Sequence, residues 1–297
     1  MKKIVLTGST GFLGSALTSR LNAEGFQTVG LIYGDSDKGV RETYATENLY
    51  FNNVTDLDSL IDWATVDAVM HLATNYGRDG SAALEMCNVE LPKKLLALSQ
   101  QFGVPNFINA DSFFSDVSKS YPYLQEYRES KLRFREFARA SAGSDDTKVI
   151  NLRIFHMYGP NDNKGKFVHE MLELIKSNAA EIDLTNGTQL RDFVYIDDVV
   201  DAFYCIVHNA SLLDCGFMSF DVCTNQPVSI KCFLTAIKDK WCSDTHLNFG
   251  AIPTREGEFH LENIVADNSG LIDLGWSVKF NYEDGIANIF DCEEGNK

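Results

Sequence analysis

The sequence predicts an α/β fold built on a doubly wound parallel sheet with a smaller lobe after it. Three observations carry that expectation. The chain opens on a β-branched apolar run, Lys3 to Thr7, that ends at a glycine; apolar runs of strand length recur at 28 to 32, 68 to 72, 104 to 109 and 148 to 154; and stretches with helical spacing separate them. Strands that alternate with helices pair in parallel, because the chain needs a long crossover to return to the same edge of a sheet.

Each element has its own signal. After Gly8, Leu17, Leu21 and Ala23 recur at helical spacing over 14 to 24 until Gly25 stops them. The strand at 28 to 32 follows. Residues 57 to 64 and 83 to 102 read as helices on either side of the strand at 68 to 72, and a helix over 123 to 141 separates the strands at 104 to 109 and 148 to 154. Beyond residue 158 the pattern loosens into short segments, with turn signals at Tyr158-Gly159-Pro160-Asn161, Asn186-Gly187 and Ile252-Pro253. The expected division is therefore residues 1–158 for the first domain, with a return segment near 193–208, and residues 159–297 mainly for the second lobe.

The chain has 297 residues, 44% of them hydrophobic, which suffices for one large core or two smaller ones. Its 42 acidic residues against 26 basic ones give a formal charge of -16, which argues against nucleic acid or an anionic membrane as partner. An anionic ligand would need local arginines or helix N-termini. The seven cysteines are scattered without a CxxC pair, as expected of reduced thiols in the cytoplasm and not of a disulfide frame or a metal site. Met1-Lys2-Lys3 runs directly into a strand, and no apolar run approaches the length of a membrane span.

Two motifs carry chemistry. Gly8-Ser9-Thr10-Gly11-Phe12-Leu13-Gly14 spaces its glycines three apart, between a strand and a helix. Side chains at those positions would hold the backbone away from a pyrophosphate, while the helix N-terminus offers N–H donors; this is the Rossmann-type phosphate loop. Tyr127-Arg128-Glu129-Ser130-Lys131 places a tyrosine and a lysine four residues apart, on one face if helical. A neighbouring ammonium is expected to lower the phenol's pKa toward neutrality.

These motifs, in this order, with His71-Leu72-Ala73-Thr74, the run from Leu152 to Pro160, the run from Arg191 to Val200 and Leu274-Gly275-Trp276, resemble the extended short-chain dehydrogenases/reductases, the NAD-dependent epimerase/dehydratase family. The resemblance covers nearly the whole chain. The segments Ala73 to Arg78 and Tyr158 to Asp162, leading to Lys166-Phe167, look most like the nucleotide-sugar 4-ketoreductases, such as CDP-abequose and CDP-paratose synthases, which serve bacterial surface polysaccharide synthesis. The resemblance implies hydride transfer to C4 of a nucleotide-linked 4-keto deoxyhexose, with Tyr127 as proton donor, Lys131 supporting it and Ser112 polarising the carbonyl. It implies dinucleotide contacts from Gly8, Thr10, Gly11, Phe12, Leu13, Gly14, Asn53, Val54, Leu72, Ala73, Thr74, Tyr127, Lys131 and His156. Substrate contacts fall to Thr74, Asn75, Asp111, Ser112, Phe167, Arg191 and Arg255, the arginines suiting phosphate oxygens. By analogy, the helices near 83–102 and 123–141 imply a homodimer.

The cofactor preference rests on the end of the second strand, where NAD-preferring relatives carry an acid that meets the ribose. Ile32 or Tyr33 stands there, with Asp35 and Asp37 later in the loop. The uncharged strand end favours NADP, with Ser36, Lys38 or Arg41 toward a 2′-phosphate; Asp35 at the ribose would favour NAD instead.

Ile108-Asn109-Ala110-Asp111-Ser112 raises a further question. The resemblance implies a Ser or Thr hydroxyl at the position of Ala110, and dehydratases read Thr-Asp-Glu where this chain reads Ala110-Asp111-Ser112, so loss of water is not expected. Ser112, two residues on, stays on the same side of an extended strand. Thr74 or a water is the alternative donor. Competing readings are a 4-epimerase that retains NAD and uses the same residues, and a cofactor-binding module without catalysis.

Overall fold

The computed structural model describes residues 2–34, 43–116, 123–143, 147–254 and 266–294. Seven strands form the central sheet: β1 (Lys3–Thr7), β2 (Gln27–Tyr33), β3 (Glu47–Phe51), β4 (Ala68–His71), β5 (Asn106–Ser112), β6 (Lys148–Ile154) and β7 (Phe217–Val222). Their order is β7-β6-β5-β4-β1-β2-β3, and every pairing is parallel. The chain builds outward from β1 on one side, then crosses back to add β4 to β7 on the other. The reversal lies between β1 and β4, and in such sheets the crevice for a ligand lies beyond the carboxyl ends of the strands at this point.

Both faces of the sheet are covered, which explains strands that read as unbroken apolar runs. Ile4, Leu6, Met70, Ile108 and Ile150 pack with Leu17 and Leu21 of helix Phe12–Ala23 on one face. On the other, Val5, Val69, Phe107 and Val149 meet Leu95 and Phe134, from helices Leu91–Gln101 and Gln125–Ser141. Burying each such side chain contributes about 1.5–3 kcal/mol.

The doubly wound sheet expected from the sequence is present, with informative differences. Strands β3 and β7 carry no clear sequence signal because they lie toward the sheet's edges and are only partly buried. The stretch 57 to 64 holds a short helix, Leu57–Leu60, and a 3-10 turn, Trp63–Thr65, with Ile61 extended between them. The helix expected over 83 to 102 begins at Ser81 and widens into a π-turn at Met86–Glu90 before Leu91–Gln101. Pro92 accounts for the widening: in a regular helix its ring would meet the carbonyl of Asn88.

After β6 the chain forms the second lobe from helix Phe167–Lys176, helix Ile230–Lys240, helix Tyr282–Glu294 and three two-stranded pairs. Helix Ile196–His208 lies against helix Phe12–Ala23, and β7 places part of the later sequence in the central sheet. Asp198 fixes this junction by accepting the backbone N–H groups of Lys279 (3.0 Å) and Phe280 (3.1 Å), while Trp276 Nε1 donates to its carbonyl (2.9 Å). Among the described residues no helix is long and apolar enough to cross a membrane.

Candidate active site

Thr7, the last residue of β1, shares a 2.9 Å hydrogen bond with His71 Nδ1 and accepts from the N–H groups of Leu72 and Ala73, each at 3.2 Å. The ends of β1 and β4 are thereby locked together. The glycine loop then turns so tightly that a Cβ at Gly14 would stand 1.8 Å from the Gly8 carbonyl oxygen, and one at Gly8, where φ is +72°, would stand 2.7 Å from Ala73 N. Helix Phe12–Ala23 starts beyond Gly11 without a side-chain cap, leaving its N-terminal dipole to face the crevice.

Helix Gln125–Ser141 carries Tyr127 and Lys131 one turn apart, both buried. Lys131 Nζ donates to the Ala110 carbonyl (2.9 Å) and to Thr74 Oγ1 (3.1 Å). The residue that lacks the expected hydroxyl therefore serves through its backbone oxygen. Ser112 supplies a hydroxyl: it lines the cleft together with Tyr127 and accepts from Phe114 N at 3.2 Å. Burial and then the adjoining Tyr76 hold the Tyr127 hydroxyl well above the ordinary phenol pKa, with the Ser112 hydrogen bond acting the other way. The expected lowering by Lys131 does not prevail, because burial dominates the phenol and the ammonium is directed at two oxygens. Burial also draws the Lys131 pKa down, opposed by Asp111 and Cys87.

A cleft of about 770 Å³ runs from the glycine loop past Tyr127 to the second lobe. Gly8, Thr10, Gly11, Phe12, Leu13, Gly14, Leu72, Ala73, Thr74, Ser112, Tyr127, Lys131, His156, Phe167 and Arg191, all singled out from the sequence, line it. His156 stands among Phe113, Phe114 and Phe193, ring centroids 4.5 to 5.8 Å away; burial and then Arg191 hold its imidazole well below the ordinary pKa, so it is neutral. Arg191 is buried and donates to its neighbour's carbonyl at Leu190, and the next residue, Asp192, accepts from Thr224 and Asn225 on its carboxylate.

Asp111 also lines the cleft, though its buried carboxylate is engaged by Arg135, Asn151 and the N–H of its neighbour Ser112. Other expected contacts do not join them. Asn75 spends its side chain within its loop, accepting from Gly77 N and donating to Asp79, and does not line the cleft. Asn53 and Val54 follow β3, where Asn53 caps a 3-10 turn, outside the cleft lining. Arg255 and residues 35, 36, 37, 38 and 41 lie outside the described residues; β2 does end on the uncharged, exposed Tyr33.

Sequence reasoning gave no role to several lining residues. Tyr76 packs on Tyr127, Phe114 and Tyr123 form an aromatic wall with ring centroids 6.5 Å apart, and Arg78 crosses to donate to the Gly165 carbonyl at 2.8 Å. The aromatic and basic content of 76 to 78 and 113 to 114 was the available signal.

The profile of the NAD-dependent epimerase/dehydratase family matches residues 4–216. The chain belongs to that family. Within it, this chain is 33% identical to a CDP-abequose synthase of Salmonella muenchen over 99% of its own length and 98% of the relative's, and 30% identical to that of Salmonella typhimurium over 96% of each. Among solved structures, the family fold recurs in the Thermotoga maritima UDP-glucose 4-epimerase with UDP-glucose (20% identity, TM-score 0.81, 99% of this chain and 100% of that one). It recurs also in MoeE5 with UDP-glucuronic acid and NAD (22%, 0.79, 99% and 100%) and in Bordetella bronchiseptica WbmF with NADH (18%, 0.79, 99% and 92%).

The residues present fit the dinucleotide that the family name implies. A Cβ at Gly8 or Gly14 would meet backbone, and the uncapped helix start lines the cleft, as a bound phosphate requires. Gly8, Gly11 and Gly14 would admit the phosphates, and Thr74, Tyr127 and Lys131 the nicotinamide end.

Proposed function

We propose that this protein reduces the 4-keto group of a nucleotide-linked deoxyhexose, a CDP- or dTDP-sugar, with NADPH favoured over NADH. The observation that carries the reading is that Ser112, Tyr127 and Lys131 line one cleft that continues from the glycine cradle to Phe167 and Arg191. The CDP-abequose synthases among its relatives support a nucleotide-linked sugar as substrate. When bound, the reduced dinucleotide supplies a hydride to C4.

The chain's own residues do the remaining work. Ser112 donates to the C4 oxygen and Tyr127 releases its proton to it, so that the carbonyl becomes a hydroxyl. A phenol kept protonated by burial suits a donor of protons better than a base that must first accept one, which favours reduction over the oxidation that opens a 4-epimerase cycle. Lys131 brings a positive charge to the phenol's side of the cleft. Arg191 and Phe167, with Arg255, hold the nucleotide diphosphate, and fixing the sugar against the nicotinamide supplies much of the rate. In this reading residues 1–158 mainly bind the dinucleotide and 159–297 mainly the sugar nucleotide, in a cytoplasmic homodimer that light scattering would detect.

The test is loss of NADPH absorbance, and separately NADH absorbance, with CDP-, dTDP- and GDP-linked 4-keto-6-deoxy and 3,6-dideoxy sugars. Stoichiometric oxidation with one carrier is expected. No oxidation with any, together with interconversion of C4 epimers by protein-bound NAD, would replace the reductase with the epimerase.

A further inference from the structure

We infer that Arg135 is a positioning residue: it staples the helix that carries Tyr127 and Lys131 to the strand end that carries Ser112, through the buried carboxylate of Asp111. The inference rests on the roles of Tyr127 and Ser112 proposed above.

Tyr127, Lys131 and Arg135 recur every four residues along one helix and are all buried. Where the first two face the cleft, Arg135 lies behind it. Its Nη1 donates to Asp111 Oδ2 (3.2 Å) and to Ser115 Oγ (2.9 Å), and it also pairs with Asp116. Asp111 in turn accepts the Ser112 N–H on Oδ1 (2.8 Å) and Asn151 Nδ2 on Oδ2 (3.0 Å). One guanidinium thus reaches both ends of the segment 111 to 116, whose first turn holds the Ser112 hydroxyl.

The sheet fixes this segment only as far as Ser112, opposite Ile154 of β6. Ser112 is the last residue of β5, and the chain passes directly into the 3-10 turn Phe113–Asp116. Beyond that strand end the ionic links replace the ladder, and Arg153, paired with both Asp116 and Asp221, braces the turn from the side of β6 and β7. A fork of fixed geometry with several donors suits such bridging; a point charge does not.

Two measurements test this. In amide hydrogen exchange, Arg135→Met and Arg135→Lys are expected to speed exchange over 111 to 116 about tenfold while leaving the peptide over 148 to 154 unchanged. In NADPH oxidation with a CDP-linked 4-keto-3,6-dideoxyhexose, each is expected to lower kcat about tenfold with KM within about twofold, yet to change kcat less than about twofold in a Ser112→Ala background. Arg135→Lys keeps the buried charges balanced, so it carries the test if Arg135→Met does not fold. Unaltered exchange, or losses that multiply independently of Ser112→Ala, would overturn the inference. If Tyr127→Phe keeps full turnover, or no sugar is reduced, the function reading fails instead, and exchange decides the positioning role alone.

Discussion

Tyr76 lays its ring against Tyr127, with centroids 4.8 Å apart and planes inclined at 32°. Tyr76 is partly exposed while Tyr127 is buried, so one ring shields the other from the open cleft. Tyr76→Ala is expected to lower kcat/KM about fivefold, and Tyr76→Phe to leave it nearly unchanged, because the contact is made by ring faces. Steady-state kinetics of the two variants check this.

Tyr127→Phe removes the hydroxyl proposed above as proton donor but leaves the ring and its packing. Turnover should fall about 10²- to 10⁴-fold while the dinucleotide dissociation constant, read by fluorescence, stays within about twofold. Near-normal turnover would remove Tyr127 from the mechanism.

The pH profile should bear the mark of Lys131. Tyr127 is raised well above the ordinary phenol value and Lys131 is drawn below the ordinary amine value, so on raising the pH the ammonium loses its proton before the phenol does. The alkaline limb of kcat is expected below the usual lysine pKa of about 10.4, and to move upward in Lys131→Arg. A limb that does not move assigns the titration to another group.

Gly14→Ala puts a methyl group 1.8 Å from the Gly8 carbonyl oxygen if nothing shifts. The loop must open to relieve it, and dinucleotide binding should weaken by more than about tenfold. Equilibrium titration of the purified variant measures it.

Burial lifts the Asp198 carboxyl to about 6, against the two N–H groups it accepts. A carboxyl raised in the folded state contributes stability below its unfolded pKa that is lost as pH rises through the folded one. Between pH 4 and about 6 the thermal midpoint of the protein should therefore fall relative to that of Asp198→Asn, and a constant difference would refute the linkage. Asp198→Ala, which leaves both N–H groups without their acceptor, should cost about 1–3 kcal/mol below about pH 4, where the carboxyl is protonated in both states, and less toward pH 6.

The sheet was legible where strands are buried on both faces, since β1, β2, β4, β5 and β6 each hold a short run dominated by apolar residues. It was illegible at β3 and β7, whose half-buried residues obey no strong pattern. In the site, glycine spacing and the Tyr127–Lys131 pair were readable because each is local in sequence. Strand alternation also brought Ser112 to the side of Ala110. The same alternation sends Asp111 to the opposite face, but its occupation there depends on Arg135, 24 residues away, which no local rule links to it. The phenol's raised pKa likewise comes from burial that only tertiary structure creates.

The 3-10 turn Phe113–Asp116 has one more consequence. It follows immediately on Ser112, at the carboxyl end of an interior strand and outside its ladder. Changes there can move a reactive group by fractions of an ångström without disturbing the seven strands beneath. Four residues form a dial on an otherwise rigid instrument, and swapping them among relatives offers a short route to new sugar preferences on an unchanged scaffold.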